Sequence, residues 1–138
     1  MVRRWMLPVL LVTIGLVVAG TQDWPWAAAW LVPYVLVAGL LSPLVFPRSR
    51  TQAEAERRSA VDGRPIVYWR PGCKFCLRLR LKLGRNARLV HWVDIWRDPA
   101  GAAVVRGIAD GNETVPTVVV AGEGRVNPDP AWLRSQLR

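Results

Sequence analysis

The stretch CKFCLRLRLKL, Cys73 to Leu83, can be read two ways, and the choice fixes the fold. From Leu77 to Leu83 apolar and basic residues alternate with period two, the pattern of a half-buried strand. The surroundings argue for a helix. "PIVYW", Pro65–Trp69, is β-branched and aromatic and predicts a strand that ends shortly before; "RLVHWVDI", Arg88–Ile95, predicts the next. Two parallel strands need a crossover, usually a helix, and Leu and Arg are good helix formers. Wound at about 100° per residue, Leu79 and Leu83 fall beside Cys76, Leu77 and Leu81 form an adjacent apolar stripe, and Arg80 sits inside the arc.

Downstream, Asp98-Pro99 is a helix start, with Asp as N-cap and Pro at the first helical position. The helix "DPAGAAVVRGIAD" runs to Gly111-Asn112. "TVVVA", Thr117–Ala121, predicts a third strand, and "GEG" at 122–124 turns the chain into a short fourth around Arg125-Val126. Asp129-Pro130 opens a last helix. The predicted order is β-α-β-α-β-β-α. Strands one and two are parallel through a right-handed crossover, and strands three and four form a hairpin. This α/β domain, with a mixed four-stranded sheet, is placed at 63–138.

The first part of the chain differs in character. Trp5–Gly20 and Trp24–Pro47 carry no charge. A bilayer core of ~30 Å takes about 20 helical residues, so residues 1–46 are expected to form two transmembrane helices in a hairpin. Pro8, Pro33 and Pro43 are tolerated in such helices, and Trp5, Trp24, Trp26 and Trp30 lie near the ends of the runs, where interfacial aromatics belong. A cleaved signal peptide is the rival reading of the first run. Residues 47–62 read as a polar linker, with a helical turn through "AEAERR". Arg3, Arg4, Arg48, Arg50, Arg57 and Arg58 flank the hairpin, and its turn has no basic residue. The positive-inside rule then gives a multi-pass inner-membrane protein with its folded domain in the cytoplasm, where a stable structural disulfide is not expected.

The net charge of +9 divides as +1 over 1–46, +2 over 47–61 and +6 over 62–138, and 17 of the 19 basic residues are Arg. Such a domain would be held near anionic lipid. No recognisable nucleic-acid motif accompanies the charge, so no nucleic-acid partner is expected.

Both cysteines of the chain, Cys73 and Cys76, fall at the end of a predicted strand and the start of a predicted helix. Unpaired N–H groups and the helix dipole stabilise a thiolate there. Arg70 and Lys74 add positive charge. A cysteine so placed is nucleophilic at neutral pH. Cys76, one turn deeper, should be more buried and keep its proton longer, so Cys73 attacks a disulfide and Cys76 resolves the mixed disulfide. A zinc site needs four ligands, and the chain offers two cysteines and His91; no metal is expected within one chain, and a cluster shared between two chains stays open. A bond between cysteines three apart closes a tiny loop and stabilises little. A CxxC beside a βαβ pattern reads as a redox pair. His91 reads as structural, and Trp92 and Trp96 as core or rim.

"NETVPT", Asn112 to Thr117, is the second signal. A cis Pro116 would leave the Val115 N–H and C=O free to pair with an extended substrate. With both motifs in place, residues 64–138 resemble the glutaredoxin family of the thioredoxin fold. "GCKFC" is similar to that family's active-site turn and "TVPT" to its cis-proline loop, and "WVDIWRDPAGAAVVRGIADGNETVPTVVV" resembles the mycoredoxin-like glutaredoxins of actinobacteria. The resemblance implies a thioredoxin-like fold, Cys73 as nucleophile and Cys76 as resolving cysteine. It places Thr114, Val115 and Pro116 against the bound thiol or substrate and Phe75 at the aromatic position between the cysteines. Lys74 departs from the family's usual proline, and "RVNPDPAW" lacks the Gly-Gly pair and acidic residues that grip glutathione.

The expectation is a membrane-anchored thiol–disulfide oxidoreductase. It would reduce protein disulfides or mixed disulfides with no tightly bound cofactor, drawing electrons from mycothiol, glutathione or a reductase. The alternatives are an iron–sulfur or adaptor module without turnover, and a periplasmic disulfide oxidase.

Overall fold

The computed structural model describes residues 3–42 and 48–137, in two compact units, Met1–Val45 and Phe46–Arg138. The first is a hairpin of α1 (Arg3–Gly20) and α2 (Trp26–Leu41), joined by a turn with a cis Trp24–Pro25 bond. The helices approach closely at Gly15, where a Cβ would stand 2.7 Å from Tyr34 Cβ. Two expectations are corrected here. Among the described residues no helix is long and apolar enough to cross a membrane. The α2 helix has 16 residues, about 24 Å against a core of ~30 Å. The α1 helix has 18 residues, but it opens on Arg3 and Arg4 and contains Pro8. The sequence reading equated the length of an uncharged run with the length of a helix. In the second run the helix starts only at Trp26, and Ser42 after it is already extended. The inner-membrane placement, the cytoplasmic orientation inferred from it and the lipid partner lose their basis. Pro43, Pro47 and the boundary at residue 46 lie outside the described residues.

The second unit opens with α3 (Gln52–Asp62), within the segment read as a polar linker. Thr51 caps it, and the i,i+4 pairs Arg50–Glu54 (2.6 Å) and Glu54–Arg58 (3.0 Å) suit a helix. Its Ala55 and Gln52 are buried. Then follow β1 (Ile66–Trp69), α4 (Lys74–Leu83), a 3-10 turn (Gly84–Leu89), β2 (His91–Asp94), α5 (Pro99–Ile108), β3 (Thr117–Val120), β4 (Glu123–Val126) and α6 (Pro130–Ser135). The sheet order is β2-β1-β3-β4. Strand β1 is parallel to β2 and antiparallel to β3, and β3 is antiparallel to β4. This is the thioredoxin-like mixed four-stranded sheet. All four residues of β1 are buried, as a central strand requires.

The ambiguous stretch is helical. Cys76, Leu79 and Leu83, at helical spacing, are its buried residues. Leu81, in the adjacent stripe, lies about 140° round from Cys76 and is 56% exposed. Arg80 is half-buried and donates to Gly84 O at 3.0 Å, satisfying a carbonyl at the helix end. The second strand is shorter than its apolar pattern, because the 3-10 turn takes up Arg88 and Leu89. Trp92 is core and donates to Ala87 O at 2.8 Å, while Trp96 lies at the rim. Helix α5 lies so close to the sheet that a Cβ on Gly101 would meet Val93 Cγ1 at 2.7 Å.

Two contacts pin α3 to the domain. Both Asp62 carboxylate oxygens meet buried His91 Nε2, at 3.0 and 3.1 Å. Asp98 accepts from Ala100 and Gly101 N–H at the start of α5 and, through its other oxygen, from Gln52 N–H at 2.6 Å. One carboxylate thus caps two helices. Asp98→Ala is expected to cost about 2 kcal/mol in denaturant unfolding and to speed amide exchange in α3. An unchanged midpoint would show that α3 docks without it.

Candidate active site

Strand β1 ends at Trp69, and Arg70–Gly72 turn the chain into α4 with Cys73 as its N-cap (φ −81°, ψ 108°). The Cys73 sulfur occupies the position of a capping oxygen. It accepts from Cys76 N–H at 3.2 Å and from the Cys76 thiol at 2.6 Å. This separation exceeds an S–S bond of about 2.05 Å, and both cysteines are free thiols. Cys73 is partly exposed and Cys76 fully buried.

These surroundings drive the two thiols apart. The Cys76 thiol, then the Cys76 and Phe75 backbone N–H groups and the Arg70 charge, lower the Cys73 pKa from 9.0 to about 6 against the opposing effect of partial burial. Burial, then the adjacent Cys73 sulfur, push Cys76 well up. At neutral pH the stable state is a Cys73 thiolate held by a protonated Cys76, one nucleophile and one reserve.

Pro116 follows a cis bond to Val115. The Val115 carbonyl accepts from the Cys73 thiol at 3.4 Å. That oxygen, expected to be free for substrate, is therefore occupied while Cys73 is protonated. Ionisation removes the donor and opens the carbonyl to an incoming N–H.

A cleft of about 590 Å³ brings together Arg70, Cys73, Lys74, Phe75, Thr114 and Val115. Pro116 lines a neighbouring groove of about 310 Å³, bounded also by Phe75, Arg78, Leu79, Lys82 and Asn127. The Lys74 ammonium stands over the Phe75 ring, 5.2 Å from its centre, so Arg70 is the cation that acts on the Cys73 thiolate. The sequence reading missed Arg78, Lys82 and Asn127. The first two were discoverable: they follow Lys74 at i+4 and i+8, one face of a helix.

A CxxC pair at the head of a helix, with the residue before a cis-proline against its first sulfur, on this sheet, defines a thiol–disulfide oxidoreductase of the thioredoxin fold. The comparisons narrow the class. The glutaredoxin family profile matches residues 66–125. Two proteins of Mycobacterium tuberculosis, from strains CDC 1551 and H37Rv and both assigned as glutaredoxins, are 36% identical over 72 residues, covering 51% of this chain and 86% of theirs. The chain belongs to the glutaredoxin family, and as an oxidoreductase of that family it works with disulfide substrates and low-molecular-weight thiol reductants.

Proposed function

We propose that the chain reduces protein disulfides, or mixed disulfides between a protein and a low-molecular-weight thiol, with mycothiol as its electron source. Residues 63–138 carry the chemistry. The observation that supports this most directly is the Cys73 sulfur, capping α4 and accepting from Cys76, with its pKa brought to about 6.

The Cys73 thiolate attacks one sulfur of the substrate disulfide, a mixed disulfide forms, and the other sulfur leaves as thiolate. Cys76 then loses its proton and attacks the Cys73 sulfur. The second substrate sulfur leaves as thiol, and the two electrons come from the Cys73–Cys76 dithiol, now a disulfide. Thr114, Val115 and Pro116 orient the substrate chain beside Cys73. Phe75 lines the same cleft as Cys73, and Arg70 and Lys74 attract the incoming thiolate. Mycothiol is favoured over glutathione on two grounds. Residues 126–130 read V-N-P-D-P in place of a Gly-Gly grip, with the Asp129 carboxylate taken up by Ala131 and Trp132 N–H. The relatives are mycobacterial, and the arginine-rich composition suits a GC-rich actinobacterial genome.

Turnover of a mixed disulfide by the full chain, with mycothiol, glutathione or thioredoxin reductase as electron source, tests the proposal. Mycothiol is expected to support the fastest turnover. Equal rates with glutathione would remove the mycothiol assignment, and no turnover with any source would end the redox reading.

A further inference from the structure

The groove beside Pro116 has one wall of unusual charge. Residues 74–88 contain six basic residues and no acidic one. Lys74, Arg78 and Lys82 are exposed along one face of α4, and Arg85 and Arg88 continue the exposed charge into the 3-10 turn. Among the described residues none of these five has a carboxylate within ion-pair distance, although Arg50, Arg58, Arg64 and Arg106 all do. One exposed carboxylate, Asp129, also lines the groove, and its Oδ1 accepts from the Ala131 and Trp132 N–H groups of α6. A row of like charges that the fold leaves uncompensated repels itself. It begins beside the reactive sulfur.

We infer that this face of α4, with the groove between it and Asn127, docks an acidic segment of the protein whose disulfide Cys73 attacks. The inference rests on the disulfide-reductase reading above and names the substrate class. Length separates a protein from a small thiol. Lys82 lies nine residues beyond Cys73, about 13 Å along the helix axis at 1.5 Å per residue. An extended tripeptide spans at most about 10 Å, so a thiol of that size with its sulfur at Cys73 leaves the far end of the row untouched. An acidic segment of four or more residues covers it. The groove suits this partner: the exposed Phe75 offers apolar contact, Asn127 a polar side chain, and Arg78 and Lys82 the cations. Charges of this kind act chiefly by steering encounter and selecting partners, and their effect fades with salt.

The test is a single-turnover reaction of the reduced full chain with three disulfide-linked peptides of equal length, whose cystine is flanked by Glu, Gln or Lys. Both electrons come from the Cys73–Cys76 dithiol, so no external reductant enters. The Glu peptide is expected to react about tenfold or more faster than the Lys peptide at low ionic strength. Raising the salt should shrink that ratio, and Arg78→Glu with Lys82→Glu should invert it. Equal rates for the three peptides, with reduction itself intact, would overturn the inference alone; no reaction with any peptide would fail the redox reading. A ratio that survives the double reversal, a loss matched by slower alkylation of Cys73, or stronger inhibition by a DNA oligonucleotide than by an uncrosslinked Glu peptide of equal charge would also overturn it.

Discussion

Cys73→Ser is expected to slow disulfide reduction by at least about 10³-fold, since it removes the attacking atom and leaves only binding behind. The hydroxyl that replaces the thiol keeps the cap on α4, so the fold should survive and the loss belongs to chemistry. Cys76→Ser should behave differently. It leaves Cys73 free to exchange once with a mixed disulfide, and a low-molecular-weight thiol can then regenerate it. Turnover of mixed disulfides is expected to persist, while reduction of a protein disulfide stops at the covalent intermediate, visible by mass as a substrate–enzyme adduct. Full turnover by Cys73→Ser would exclude the proposed nucleophile.

The second large effect concerns pH. The Cys76 thiol is the strongest influence lowering the Cys73 pKa to about 6. Alkylation of Cys73 in the reduced protein should therefore rise with pH around a midpoint near 6. Cys76→Ala removes the thiol donor and keeps the Cys76 amide and Arg70, so the midpoint should move up by at least about one unit, and alkylation at pH 6 should slow roughly fivefold or more. An unmoved midpoint would place the acidity of Cys73 in the helix end and Arg70. The same pKa governs stability. The folded-state value lies below the unfolded one near 9.0, so the reduced fold gains stability as pH rises from about 6 to 9. That gain is complete above 9 and disappears as pH falls through about 6. Cys73 is partly exposed, which keeps the effect modest.

Helix α4 shows how much of the site was legible. Strand spacing on either side ruled out a strand at Leu77–Leu83, and helical spacing put Cys76, Leu79 and Leu83 on one buried face. Cys73 as N-cap and Asp98 and Asp129 as helix starts were readable because capping is local chemistry. The N-terminal hairpin shows the opposite. Its lack of charge was plain, but the helix ends that fall short of a bilayer depend on turn geometry around Trp24–Pro25 and Ser42.

The sequence by itself determined the order of elements, the parallel crossover and the pair of thiols at a strand–helix junction. Each follows from local patterning, capping and the short spacing of neighbouring strands. Only the tertiary structure decided that Val115 O meets Cys73, that Asp98 joins α3 to α5, and that Arg78 and Lys82 face Asn127 across a groove. Those contacts link residues tens of positions apart, and their geometry is set by how helices and strands pack on one sheet, which no local pattern encodes.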